Sequence, residues 1–390
     1  MDIKNIYVYK IGFGDCSLLE LDNVNILVDC GGDIKELEKN VLVNDIISKT
    51  LNKNLECIVT HFHDDHYNTL SMFPKDAFDA IYAPNFFTKE EIKLQLYALL
   101  ILSNSSSGYL MAEQMLRFIP KIIDNGILKE CAIVNFVKKG DFINDNIEVL
   151  WPDPNMIDYE VRNLLDEFEK ILKVNSNEIY RESANFHNGV GSDLIEEIEL
   201  LAEKYISNVE MLKNNRMQNE ITLDYISNNI KNILDDLNAI KKLVNFKKLT
   251  SIPRKKIKQI QNKYSIIFHN DKVLFLGDIT AKVFNDNIAC KIENNKYNYI
   301  KVAHHGTKNY FTNKLPKSDK MIISSGKKSN CDISAMYPLY YNDRKFICTC
   351  NDFCEYYNSI TKFGKLEVKD EPKCKIYCGM KNICEKFNFQ

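Results

Sequence analysis

No stretch of the 390-residue sequence approaches the roughly 18 apolar residues that a membrane-spanning helix needs. A membrane-embedded role is therefore not expected. Met1-Asp2-Ile3-Lys4 is not followed by the long apolar core of a secretory signal. The expected compartment is the cytoplasm, where most of the 12 cysteines would stay reduced. An excess of one charge is also missing. Fifty-one Lys and Arg against 53 Asp and Glu leave a formal net charge of −2. That excludes a global attraction to polyanions, so any preference for nucleic acid must come from a local patch. There is no internal repeat, which argues against a solenoid. Histidine is scarce, at seven residues, so its placement is informative. What is present is an ordinary globular composition, 45% hydrophobic and 27% charged. A sizeable core is affordable, in one large domain or two ordinary ones.

The first 154 residues read as α/β. IKNIYVYKI (3–11), SLLEL (17–21) and NILVD (25–29) are short apolar runs broken by Gly, Asp and Asn, as strands joined by tight turns are. Residues 33–49, 88–102 and 110–124 carry helical periodicity. Leu55–Thr60, 80–84, 131–137 and 147–151 read as strands. From 155 to 262 helix signals dominate, interrupted by SANFHNGVGSD (183–193), and we read this as a helical insertion. Strand signals resume at 264–269 and 272–276, with Asn270-Asp271 as the hairpin turn. A helix over 280–290 and strands at 299–303 and 321–325 follow. The expected organisation is 1–154 and 263–345 as two parts of one domain, 155–262 as the insertion, and 346–390 as a cysteine-rich tail.

Three of the seven histidines fall in THFHDDHYNTL (60–70), directly after the apolar run Leu55–Val59. Written out, the pattern is His61-x-His63-x-Asp65-His66. Imidazole nitrogens and carboxylate oxygens are ligands that zinc, manganese and iron accept. A sharp turn after a buried strand can aim such residues at one point. Asp278 ends another apolar run, VLFLGDI (273–279), where a buried carboxylate is costly unless paired or metal-bound. Its alternative is to cap the helix over 280–290.

The cluster is the HxHxDH signature of the metallo-β-lactamase superfamily, and further segments resemble it in the same order. IGFGDCSLLEL (11–21) is similar to the opening Gly-x-Gly-Asp hairpin of the branch found in competence DNA-uptake proteins. ILVDCGG (26–32) resembles the superfamily's strand ending in Asp-x-Gly. VLFLGDI resembles its strand ending in Gly-Asp. KVAHHGTKNY (301–310) resembles the branch's His-His-Gly-Ser segment, with Thr307 in the serine place, and MIISSG (321–326) the strand after it. The resemblance implies an αββα four-layer sandwich with the site at one edge, and two divalent metal ions, Zn2+ or Mn2+. It implies His61 and His63 on the first ion, Asp65 and His66 on the second, and Asp278 bridging. His304 or His305 is expected to complete the second site, with His304 favoured since it directly follows a strand. His305 is then expected at the scissile phosphate or leaving group. Asp65 could orient the attacking water or take its proton. Asp29 and Asp15 are expected to orient ligand histidines through their free N–H groups. Thr307 and Lys308 are candidate substrate contacts.

One departure concerns the first ion. Many members carry a further histidine between the cluster and the bridging aspartate, but residues 67–186 contain none. His187, in the loop of the insertion, is the candidate to reach back. His269, beside a hairpin turn, is expected on the far side. Water or a non-histidine side chain is the other way to fill the position.

The expected activity is metal-dependent hydrolysis, with phosphodiesters favoured. The favoured substrate is nucleic acid or a nucleotide. Besides the resemblance, residues 241–263 carry nine Lys or Arg and no acid, as a phosphate-holding segment or as a solvated helix face. An ester, thioester or lactone hydrolase, or a non-catalytic binding protein of the same fold, is the alternative. The insertion could cap the site, mediate a homodimer or simply stabilise the fold. In the tail, Cys348, Cys350, Cys354, Cys374, Cys378 and Cys384 permit a structural zinc site or buried thiols.

Overall fold

The computed structural model describes residues 2–102, 106–179, 190–214, 222–243, 260–325, 334, 336–341, 343–349 and 384–388. The first half folds as β1 (Asn5–Tyr9), β2 (Asp15–Glu20), β3 (Val24–Gly31), α1 (Glu36–Thr50), β4 (Asn54–Ile58), α2 (Asp64–Tyr67), β5 (Phe78–Pro84), α3 (Lys89–Ile101), α4 (Ser107–Leu116), α5 (Phe118–Asp124), β6 (Leu128–Val137), β7 (Phe142–Ile143) and β8 (Ile147–Trp151). Then come α6 (Pro154–Ile179), α7 (Val190–Asn214) and α8 (Leu223–Leu243). The chain returns as β9 (Ile267–His269), β10 (Val273–Phe275), α9 (Ala281–Asn287), α10 (Ala289–Ile292), β11 (Lys296–Lys301), β12 (Lys317–Ile323), α11 (Met336–Tyr340), β13 (Lys345–Cys348) and β14 (Cys384–Asn388).

The strands form two seven-stranded sheets, in the orders β14-β1-β2-β3-β4-β5-β6 and β13-β12-β11-β10-β9-β8-β7. Alternation along each strand explains how they stack, since successive side chains point to opposite faces. Ile6 and Val8 of β1, Ile26 and Val28 of β3, Phe268 of β9, and Val273 and Phe275 of β10 share one core between the sheets. Tyr7, Tyr9, Leu27 and Leu274 alternate with them and enter a second core with the helices. Both faces of the strands are thus covered, giving the α/β/β/α layering expected from the sequence. No helix among the described residues is long and apolar enough to cross a membrane.

The excursion from 154 to 262 begins and ends at one place. β8 and β9 pair antiparallel, with Trp151 opposite Ile267. Between them the chain leaves for α6 to α8 and returns, and the pairing carries a bulge between Val149 and Trp151. α6 to α8 do not stand apart as a separate body. Tyr97 of α3 stacks on Phe168 of α6, and the Tyr205 hydroxyl of α7 donates to the Leu116 carbonyl at 3.0 Å. Packed among α4, α6, α7 and α8, α3 is buried from Glu91 through Ile101, so it is apolar around most of its circumference.

The C-terminal residues correct the expected domain limits. Lys345–Cys348 is the edge strand of the second sheet, so a boundary after 345 cuts through a strand. β14 pairs antiparallel with β1 and extends the first sheet. The rest of the cysteine-rich stretch, including Cys350, Cys354, Cys374 and Cys378, lies outside the described residues.

Gly31 fixes how the histidine segment sits. A Cβ there would lie 2.5 Å from Asp64 O, from Asp65 C and from His66 N, all backbone atoms. Only glycine lets α2 rest on the end of β3, where Thr69 N–H donates to Cys30 O at 3.0 Å. Gly31→Ala should therefore cost about 1–3 kcal/mol by overpacking, read as a lower denaturant midpoint with an unchanged slope.

Candidate metal centre

Five strand ends deliver the site to one edge of the sandwich. Asp15 opens β2 and Asp29 lies near the end of β3. Val59–His63 follows β4 into α2. Asp278 follows β10, and His304 and His305 follow β11. His61, His63, His66, His305, Asp15, Asp29 and Asp278 are all buried. Asp278 does not cap the following helix. That role belongs to Thr280, whose side chain accepts from Val283 N.

Hydrogen bonds on the outer side of the rings set which nitrogens face inward. Thr60 Oγ1 donates to Asp29 Oδ2 at 2.8 Å. Its single proton is spent there, so from His61 Nδ1, 3.2 Å away, it can only accept. His61 Nε2 is then left with its lone pair. His66 Nδ1 donates to Asp29 Oδ2 at 2.9 Å, and His305 Nδ1 donates to the Ser324 carbonyl at 3.0 Å. In each case Nε2 points into the cluster. His304 Nδ1 meets Thr307 Oγ1 at 2.8 Å.

The inward atoms lie at distances that suit ligands better than hydrogen bonds. His61 Nε2 is 3.4 Å from Asp278 Oδ2, and His304 Nε2 is 3.5 Å from the same oxygen. His66 Nε2 is 3.6 Å from Asp278 Oδ1. His305 Nε2 is 3.3 Å from Asp65 Oδ2. Two ligand atoms on a tetrahedral zinc, with bonds of 2.0–2.1 Å, sit roughly 3.3–3.4 Å apart. His66 Nε2 and Asp278 Oδ1 are buried with no hydrogen-bond partner, and so is His63 Nε2. His61 Nε2 and His63 Nδ1 face each other at 3.0 Å. Buried polar atoms left so are rare unless something else satisfies them. The residues present therefore fit divalent cations, in two groups that share Asp278: His61, His63 and Asp278, and His66, His305 and Asp278 with Asp15 behind.

Charge tells the same story. Burial opposes ionisation of Asp278, yet the imidazoles of His304, His61 and His66 hold its carboxyl well below the usual range. Asp65 is also held low against its burial, by His305 and His66. Burial likewise opposes charge on His66, but Asp29 and Asp278 lift it to about 10. His305 is raised by Asp65 and Asp15, again against its burial. Burial pushes His63 the other way, well below its ordinary value, and neighbouring His61 adds to the shift. Without a cation, ionised carboxylates keep protons on the two imidazoles of the second group.

The structure redistributes several expected roles. His305, not His304, stands with His66, and it is 1% exposed. Its ring packs 4.2 Å from Phe13. His304 instead joins the Asp278 oxygen that faces His61. The reason lies in the backbone: His304, His305 and Gly306 all have positive φ, at 46°, 56° and 74°. This sharp left-handed bend sends the two neighbours to different partners, His304 Nε2 to Asp278 Oδ2 and His305 Nε2 to Asp65 Oδ2, and costs on the order of 1–3 kcal/mol at each non-glycine. Thr307 is buried, with its hydroxyl 2.8 Å from His304 Nδ1. Lys308 is exposed beside it. Asp29 Oδ2 lies 2.9 Å from His66 Nδ1. Asp15 lies 3.7 Å from His305 Nδ1 and 3.9 Å from His66 Nδ1, behind both rings. His187 lies outside the described residues. His269 is far from the cluster, bound to Tyr297 and Glu148.

Sequence reasoning missed two neighbours. Lys301, 5% exposed, pairs with Asp15 at 2.7 Å. Its signal was a lysine within an apolar strand. Tyr310 stacks on His304 with ring centroids 3.9 Å apart, and nothing in the sequence marked it. Burial and the Asp278 charge push Tyr310 up to about 12, so its hydroxyl stays neutral.

No protein-family model matches the chain, and no curated protein is similar to it. Among solved structures, it is similar to a Thermotoga maritima protein described as a "putative metallo-beta-lactamase", at 14% identity and a TM-score of 0.25. The match covers 38% of this chain and 66% of that one, just under two thirds of its length. The case for the site rests on the side chains described above.

Two outcomes follow. Lys301→Met takes from buried Asp15 its 2.7 Å ammonium partner and should cost about 3–5 kcal/mol, while adding Asp15→Leu should recover part of it. The second concerns pH. His66 is raised from 6.5 to about 10 in the metal-free fold. Its contribution to stability is complete below about pH 6.5 and is lost as pH climbs towards 10. A bound cation removes that loss by replacing the proton. The Tm gap between zinc-loaded and chelated protein should therefore widen from pH 6.5 to 9.5.

Proposed function

We propose that this chain is a metal-dependent hydrolase of phosphodiester bonds, akin to the competence-type branch of the metallo-β-lactamase superfamily. The observation that carries the hydrolytic reading is the sharing of Asp278: its Oδ2 faces His61 and His304, its Oδ1 faces His66. On this reading His61, His63, His304 and Asp278 would hold one divalent ion. Asp65, His66, His305 and Asp278 would hold the other. His304 thereby takes the place of the histidine missing between 67 and 186. Such a pair of ions, when bound, supplies Lewis acidity and a water of lowered pKa.

The protein's own groups do the rest. Asp65 has a side chain 27% exposed, against 2% for Asp278. It is the ligand carboxylate that a water can reach, and its low pKa keeps it ionised as a proton acceptor. Asp29 and Ser324 O keep the inward nitrogens of His66 and His305 free.

The phosphodiester preference is supported by the resemblance of the Gly-x-Gly-Asp and His-His-Gly-Thr segments and by exposed Lys308 next to the ligand loop. Within the basic stretch, residues 244–259 lie outside the described residues. Lys241 is committed to the Leu99 carbonyl at 2.6 Å, and Lys263 pairs with Glu160. Nucleic acid or a nucleotide is the substrate class this reading favours.

The test is hydrolysis of bis-p-nitrophenyl phosphate by chelated protein reloaded with zinc or manganese. Turnover should appear only with metal, and Asp65→Ala should lower it by about 10²–10⁴-fold. Turnover of p-nitrophenyl esters but of no phosphodiester would move the assignment to ester chemistry. Two bound ions with no turnover of either would favour a binding role.

A further inference from the structure

His304 differs from the other four histidines of the cluster. Its side chain is 14% exposed, against 1% for His61, 0% for His66 and 1% for His305. The core that clamps those rings does not enclose it, and it sits on a left-handed bend. Its orientation needs another restraint, and Tyr310 supplies one. The two rings lie parallel within 3°, with centroids 3.9 Å apart. Stacking on one face and Thr307 at Nδ1 leave His304 Nε2 aimed at Asp278.

Tyr310 is itself held from the insertion. Asn262 Nδ2 donates to the Tyr310 hydroxyl at 2.8 Å. Asn262 is fully buried and lies in the helical turn where the insertion re-enters the sheets, closed by Ser265 N to Asn262 O at 3.1 Å. Three residues apart, Asn262 and Ser265 share one side of that turn. Ser265 packs against Gly277, where an added Cβ would come within 2.8 Å of the serine Cβ. Ile266 N–H then donates to Thr60 O at 2.8 Å, just before His61. One turn at the end of the insertion therefore touches the neighbours of three proposed ligands: Tyr310 for His304, Gly277 for Asp278 and Thr60 for His61.

We propose that Tyr310 is a positioning residue for His304, and that Asn262, through the Tyr310 hydroxyl, ties the returning end of the helical insertion to the metal centre. The inference rests on the metal-binding reading given above. Losing the Tyr310–Asn262 contact loosens His304, a ligand of one ion, and leaves in place the rings of His66 and His305, which Asp29 and the Ser324 carbonyl hold.

The experiment is a zinc titration of chelated full-length protein against a chromophoric competitor. Wild type should bind two ions. A wild type that binds none sinks the metal reading and this inference together. Tyr310→Leu removes the stacked ring and should weaken one ion by about tenfold to a hundredfold while the other holds. Tyr310→Phe keeps the ring and loses the hydroxyl, so it should weaken the same ion by less. Asn262→Ala should match Tyr310→Phe, and combining the two should add nothing further. Should Tyr310→Leu fail to fold, the Phe and Ala variants carry the test through their equal, non-additive effect on one ion. Two ions bound by the folded variants as tightly as by wild type would overturn the proposal, as would an equal weakening of both ions. Additive losses in the double variant would overturn the part given to Asn262.

Discussion

Burying a carboxylate between two sets of imidazoles is the constraint that orders this molecule. Asp278 is 1% exposed at the end of β10, and an ionised group there is tolerable only when positive charge surrounds it. The surroundings come from far apart in sequence. His61 and His66 arrive from β4 and α2, His304 from β11, and each contributes a nitrogen within 3.6 Å of one of its oxygens. The two-sheet sandwich makes this convergence possible, because parallel neighbours such as β10 and β11 end on the same side. Backbone strain gathers at the same edge: Asp29, His304 and His305 all have positive φ. Strain of that kind persists only where neighbouring contacts over-determine it, and here hydrogen bonds do so, from Thr60 N to Asp29 at 2.7 Å and from His304 N to Gly277 O at 3.1 Å.

Much of this was legible in the residues, for stated physical reasons. Apolar runs ending abruptly in Asp or His marked β3, β4, β10 and β11, since a buried strand has no other reason to stop on a polar ligand type. The pair Asn270-Asp271 does close a hairpin, with Asn270 N bonded to Val273 O at 3.1 Å. The texture after 155 does form long helices, at Pro154–Ile179, Val190–Asn214 and Leu223–Leu243, because helix periodicity over twenty residues is hard to mistake.

What stayed hidden depended on backbone direction or on distant pairing. Two adjacent histidines look equivalent in a sequence. Only the left-handed bend through His304, His305 and Gly306 decides that the first meets Asp278 and the second Asp65. Lys301 read as a charged residue near a strand end, and its partner Asp15 lies almost three hundred residues earlier. β14 is five residues long, and its pairing of Asn388 with Asn5 joins the two ends of the chain. No local pattern reports such a contact. The Tyr310 stack on His304 is equally invisible, since an aromatic beside a glycine-containing loop is as easily a core residue.

The two ligand groups are backed differently, and the difference bears on how each competes with protons. Behind His66 stands the Asp29 carboxylate, with Asp15 behind both His66 and His305. Thr60 Oγ1 stands 3.2 Å from His61 Nδ1, and Thr307 Oγ1 stands 2.8 Å from His304 Nδ1. A carboxylate on the outer nitrogen raises the basicity of the inner one, whereas a hydroxyl does so far less. The group containing His66 and His305 is therefore the stronger base, and it gives up protons when an ion enters. The group containing His61, His63 and His304 depends more on geometry for its hold on a cation. Geometry is also where it is least protected, because His304 is its most exposed member. The aromatic ring over His304 and the hydroxyl on its Nδ1 sit where a rigid core is absent, and the electrostatics of the centre leave that one ligand most in need of them.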